Sequence, residues 1–278
     1  MENTNSKTPS RLIRSNPVIR KLSKINESDV DHACTYRGIT RKLVFFLLMI
    51  VAGIAVNAFL KLSGFQISGD AVLTNTELGL SVTGTELMIL VICSLLFLIA
   101  PILAVLIKAT LPVTGPLYCV ATGYLLSWPD ATFGKEYAAP ILLALVLTVQ
   151  IVLVMGILYS KGIVKVTRKF HTVVTTLFFT TLLGSAVVGI GALIPATRSL
   201  VVALKDNLFL SIGGGILMVI IGSLFLLVDF DTIQGAVENK VPKKYEWYAS
   251  FGLVFSVIWL YFKILDLILS IMQASNKK

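Results

Sequence analysis

The sequence predicts an all-α membrane protein: a seven-transmembrane-helix bundle with the N-terminus cytoplasmic and the C-terminus outside. Three observations lead there. Of the 278 residues, 56% are hydrophobic and 14% charged, against about 25% charged in a soluble domain. The apolar residues gather into seven runs, most of them near the roughly 20 residues that a helix needs to cross about 30 Å of hydrocarbon. The basic residues gather at alternate ends of those runs, as the positive-inside rule describes. Strands of a membrane barrel would show alternating segments of about ten residues. Continuous runs of twice that length favour helices, which satisfy their own backbone hydrogen bonds in lipid.

The runs follow in order. The first is Leu43 to Leu60, broken by Asn57, and the second is Leu87 to Ile107, with Pro101 inside it. The third, Leu111 to Ser127, is shorter and holds Pro112 and Pro116. Ala138 to Tyr159, Thr172 to Ile194 and Leu208 to Phe230 are the fourth to sixth. The last, from Ser250 to about Met272, carries Lys263 and Asp266. With the N-terminus inside, seventeen Lys and Arg fall on the inner side, six fall outside, and Lys263 stays within the last run. Residues 1–42 read as a basic cytoplasmic tail and 43–278 as the transmembrane domain. Ser15, Asn16 and Pro17 before Val18, Ile19 and Leu22 could open a short amphipathic helix on an anionic surface; a solvated tail explains the same residues equally well. The tail lacks an apolar h-region, so no cleavable signal is expected and the first run directs insertion.

The net charge of +9 belongs to this flanking pattern and not to nucleic-acid binding, since no recognition helix, zinc finger or aromatic-basic strand is present. Cys34, Cys93 and Cys119 form neither CxxC nor a Cys/His cluster and read as small buried hydrophobes. Neither HExxH nor GxSxG occurs, so no enzyme is expected, and no cofactor is indicated.

Charges inside a membrane cost roughly 2.5–3.5 kcal/mol each on insertion scales and point to function by default. Four stand out: Asp229 and Asp231 closing the sixth run, and Lys263 and Asp266 in the seventh. Lys263 is too deep to snorkel easily. It is expected to face the bundle interior and pair with an acid, with Asp229 the partner on another helix and Asp266 on the same face one turn on. The competing reading is an ion pair that only sets helix register. Asp231 lies about 200° around the helix from Asp229 and reads as a solvated helix end. Lys243, Lys244, Tyr245, Trp247 and Tyr248 read as a membrane-interface anchor. Gly213 to Gly215 reads as a place of close helix approach.

Three stretches near the C-terminus carry a resemblance: Val228-Asp-Phe-Asp-Thr-Ile233, Pro242-Lys-Lys-Tyr-Glu-Trp-Tyr-Ala249 and Trp259-Leu-Tyr261. They resemble the Bax inhibitor/YccA-like membrane proteins. Ser15-Asn-Pro-Val-Ile-Arg20, Thr35-Tyr-Arg-Gly-Ile39 and Tyr159 to Phe170 fit a bacterial branch with an extended N-terminal tail. The resemblance implies a seven-helix bundle with a central last helix. In some members, acids on the sixth and seventh helices form a proton-sensitive pair that gates a calcium leak; others bind partners, a membrane-bound protease among them. Asp229 matches the sixth-helix acid, but Lys263 stands where the seventh-helix acid is expected. In the Glu-Gly pair usual on the third helix, Thr122 stands in place of the acid, before Gly123. Two close acids share a proton, whereas an Asp–Lys pair stabilises both charges, and a lysine repels a divalent cation. Calcium conduction with altered or lost pH gating is therefore one expectation, and Lys263→Glu should raise it. The other is a non-conducting regulator that binds membrane proteins such as a protease. A small-solute transporter is weaker, for want of an inverted repeat with matched broken helices. The expected partners are the lipid bilayer, calcium or another cation, and other membrane proteins, with no nucleic acid. The expected place is the cell membrane, the inner membrane of a bacterium.

Overall fold

A computed structural model describes residues 33–63, 71–75, 80–133, 135–194, 196–197, 199, 203 and 207–276. Among them are seven α-helices, α1 (Tyr36–Leu62), α2 (Gly84–Leu106), α3 (Leu111–Phe133), α4 (Lys135–Ser160), α5 (Arg168–Leu193), α6 (Leu208–Glu238) and α7 (Tyr245–Asn276). Each takes in one of the seven apolar runs to within a residue. Most run past it by several residues, because a helix continues until a cap or a turn stops it, not where hydropathy falls. Thr167 caps α5 by accepting from the Phe170 N–H at 3.2 Å, and Asn207 caps α6 by accepting from the Leu210 N–H at 3.3 Å. Both satisfy amides that the first turn leaves without partners. Lys240, with φ of 49°, ends α6 in the left-handed region. Pro101 and Pro140 sit inside α2 and α4.

An antiparallel hairpin of β1 (Ala71–Asn75) and β2 (Leu80–Thr83) joins α1 to α2. It has no counterpart in the reading of the sequence, because nine strand residues between two long apolar runs add too little to the pattern.

Six helices are long and apolar enough to cross a membrane by length and composition, and α3 is not among them. The reason is its place. It packs on α1, α2, α4 and α7, and Tyr118, Cys119, Ala121, Thr122 and Tyr124 on it are buried. A helix facing other helices has little need of a lipid-compatible surface. The crossing with α1 is close, since a Cβ on Gly53 would overlap the Val120 carbonyl and one on Gly123 the Ile50 carbonyl. Small residues allow such approach in membrane bundles. Asn57, which breaks the first run, is buried at this crossing and donates to the Ser127 hydroxyl at 2.8 Å. Of the glycines expected to serve close approach, a Cβ on Gly215 would lie 3.0 Å from the Leu267 side chain, while one on Gly213 or Gly214 would meet nothing within 4 Å.

α7 is the central helix. It packs on α1, α3, α4 and α6. Ile258 faces an apolar cluster with Phe46 and Tyr118, Leu260 another with Leu226, and Trp259 a third with Phe178 and Ile221. Phe178 of α5 stacks on Phe225 of α6 at 3.9 Å between centroids and meets Trp259 edge-on at 4.8 Å. The outward surfaces of α1, α2, α4 and α5 carry exposed Leu, Val, Ile and Phe, as lipid-facing helices do.

The boundary drawn at 42/43 falls inside α1. Residues 36–42 are helical, Cys34 and Ile39 are buried, and Ala33 forms a β-bridge with Pro242. These ten residues pack with the bundle, while the rest of the tail lies outside the described residues.

Candidate functional site

The four ionisable residues singled out in the sixth and seventh runs do not form one cluster. Asp229 lies in α6 with its carboxylate turned to α7. A Cβ on Gly252 would sit 3.7 Å from Asp229 Oδ1, and the Ser256 hydroxyl neighbours the same carboxylate. In this arrangement Ser256 donates to the Gly252 carbonyl at 3.0 Å. Asp229 Oδ2 is buried and has no hydrogen-bond partner among the described residues. Buried polar atoms are satisfied in the large majority of cases, so this oxygen is an exception with a cost.

The expected contact between Lys263 and Asp229 is not formed. Lys263 is seven residues beyond Ser256, about 10 Å along the helix at 1.5 Å per residue. Its Nζ donates to the Ser185 hydroxyl of α5 at 3.0 Å and lies 5.5 Å from the centre of the Trp259 ring. Lys263 is half-buried between α5 and α7. The sequence could not tell which neighbour the side chain would meet, because that depends on how far α7 slides along α6. Asp266 is exposed.

Asp231 is half-buried two turns before the end of α6. The Tyr159 hydroxyl, at the end of α4, lies 2.7 Å from Gln234 Oε1 and 3.3 Å from Asp231 Oδ1. A hydroxyl has one proton, so the shorter contact takes it and Asp231 receives the weaker share. Gln234 in turn donates to Glu238 at 2.6 Å.

The stretch read as an interface anchor holds a site that sequence reasoning missed. Lys243 and Lys244 are exposed, but Tyr245, Trp247 and Tyr248 are half-buried. Trp247 meets Phe45 and Phe46 edge-on, at 5.9 and 5.7 Å. Between these rings Glu246 is fully buried. Its carboxylate accepts from the Thr35 N–H at 3.0 Å, from the Thr35 hydroxyl at 3.2 Å, and from Lys42, with which it forms an ion pair. Lys42 also lies 5.2 Å from the centre of the Trp247 ring. A Cβ on Gly38 would overlap this carboxylate, so the first turn of α1 can close over it only with glycine there. The one signal available was the sequence Thr35-Tyr-Arg-Gly-Ile39, where an exposed helix start has no reason to carry glycine.

Among the described residues no group of three or more His, Cys, Asp and Glu could hold a metal ion. Cys34, Cys93 and Cys119 are free thiols, the first and last buried.

A family model described as Bax inhibitor 1 like matches residues 16–273. No curated protein and no solved structure matches the chain.

Proposed function

From the premise that this chain belongs to the Bax inhibitor 1 like family, we propose that it provides a cation leak path through the membrane, with calcium as the permeant ion and with the pH gating altered or lost. The observation that carries this reading is the half-buried Asp229 at the α6–α7 contact, whose Oδ2 is buried and has no partner among the described residues. A carboxylate held this way in a membrane helix is costly and is kept where it serves an ion or a proton. The family resemblance puts a second acid on the last helix. Here Gly252 and Ser256 face Asp229, and Lys263 occupies the position following Tyr261 and Phe262. Two acids in contact titrate as a coupled pair. One acid beside a serine has no second acid with which to share a proton, so the gate that such a pair provides is missing. On this reading the basic face of the bundle is cytoplasmic, and the protein sits in the inner membrane of a bacterium.

The test is calcium entry into dye-loaded liposomes holding the purified protein, at pH 6 and pH 8. The expected result is flux that differs little between the two values, is lost in Asp229→Asn and rises in Lys263→Glu. No flux from folded protein overturns the leak reading. That outcome favours a non-conducting regulator of other membrane proteins, such as a protease. The ammonium of Lys263, half-buried between α5 and α7, supports this second reading because it would repel a divalent cation.

A further inference from the structure

The segment before α1 and the start of α7 are held together by more than packing. The Cys34 N–H donates to the Val241 carbonyl at 2.7 Å, and Ala33 bridges Pro242. The buried Ser250 hydroxyl, one turn into α7, donates to the Ile39 carbonyl at 3.0 Å. Between these ties sits the Glu246 carboxylate with its two Thr35 donors and Lys42. The two partners are unequal: the Glu246 side chain is 0% exposed and that of Lys42 15%. Lys42 can turn toward water if released, and Glu246 cannot.

A buried ion pair is a weak source of net stability, because desolvation offsets the attraction; its best-attested uses are register and switching. Apolar side chains would hold α1 on α7 as well. What the charges add is a lock with two states, since removing one charge turns a favourable pair into an uncompensated buried ion. Cys34 lies beneath the lock. It is 2% exposed, and burial first, then the Glu246 charge, pushes its thiol up to about 11 against the opposing effect of Lys42.

We propose that residues 33–42 form a charge-locked clasp on the first turn of α7, closed by the Glu246–Lys42 pair, and that opening it uncovers Cys34 and releases the α7 segment that faces Asp229. The second half rests on the leak reading. Gly252 and Ser256 lie six and ten residues beyond Glu246, about 9 and 15 Å along the same helix, so a tilt of its first turns moves them against α6.

The test labels the full chain in liposomes with a maleimide at neutral pH and reads Cys34 by peptide mass spectrometry, with buried Cys119 as the internal control for a folded bundle. Calcium flux is measured on the same preparations. Cys34 of the unaltered protein should label slowly. Lys42→Met, which strands Glu246, should raise its rate at least about tenfold, and Glu246→Gln should raise it less. The double variant should fall back toward Glu246→Gln, because the stranded charge is gone. Equal labelling in all four proteins overturns the clasp. If Lys42→Met does not fold, Glu246→Gln decides alone. Flux rising with labelling supports the coupling to Asp229; labelling that rises with flux unchanged overturns the coupling and leaves the clasp. Absence of flux from every protein overturns the leak reading, and the labelling still judges the clasp.

Discussion

Two acids stand at α7, one fully buried and one half-buried, and they are treated in opposite ways. Glu246 sits in the first turn, where the helix N-terminus favours an acid, and three donors surround it, one of them the Lys42 cation. Asp229 sits within α6, away from either helix end, and leaves Oδ2 without a partner among the described residues. The first is what a structural acid looks like: both of its oxygens have partners. The second keeps a binding capacity that the fold does not consume. Burial alone therefore does not mark a functional acid in this bundle; the fate of its oxygens does.

That contrast can be broken by experiment, and the largest effect should come from Lys42→Met. It leaves Glu246 buried and uncompensated and should cost about 3 kcal/mol, seen as a lower unfolding temperature in detergent. An unchanged unfolding temperature would mean that Glu246 is not held by its charge partner. Gly38→Ala comes next, at about 2 kcal/mol, because the added methyl overlaps the Glu246 carboxylate and α1 must shift to admit it. Asp229→Asn should go the other way or nowhere. A neutral amide in place of a half-satisfied carboxylate should leave stability within about 1 kcal/mol of the unaltered protein, or raise it by that much, while calcium flux is lost. A loss as large as that of Lys42→Met would make Asp229 a structural acid like Glu246. The smallest effect is expected of Ser185→Ala. It removes one hydroxyl acceptor from Lys263, should cost about 1 kcal/mol, and is read in the same melts.

Much of the bundle was legible because each span is a local property. Apolar residues in a run of sufficient length need no partner to declare a helix in lipid, and all seven runs became helices. Where the pattern failed, the deciding partner was distant. Hydropathy started α1 at Leu43, but its first turns are fastened to residues 204 and 211 positions away in sequence, through Lys42 and Thr35 on Glu246. Glu246 itself was passed over inside a stretch whose rings and lysines fit a membrane interface. Thr122 registered as a departure from a family pattern, whereas the neighbouring Gly123 is where α3 meets the α1 backbone. Lys263 and Asp229 were matched by motif; a longitudinal offset between α6 and α7, invisible in a single chain of letters, gave Lys263 to Ser185 instead.

By itself, then, the sequence determined the class of solvent, the number and order of the helices and the family to which they belong, since these depend on run length, charge bias and local motifs. Only the tertiary structure decided which helices pack on the last one, that α3 can be the least lipid-like because it is enclosed, and which of the two acids at α7 is satisfied. Those are questions of rotation and offset between helices. Both are set by side-chain packing and close glycine crossings across hundreds of residues of chain, and a shift of one turn exchanges every partner.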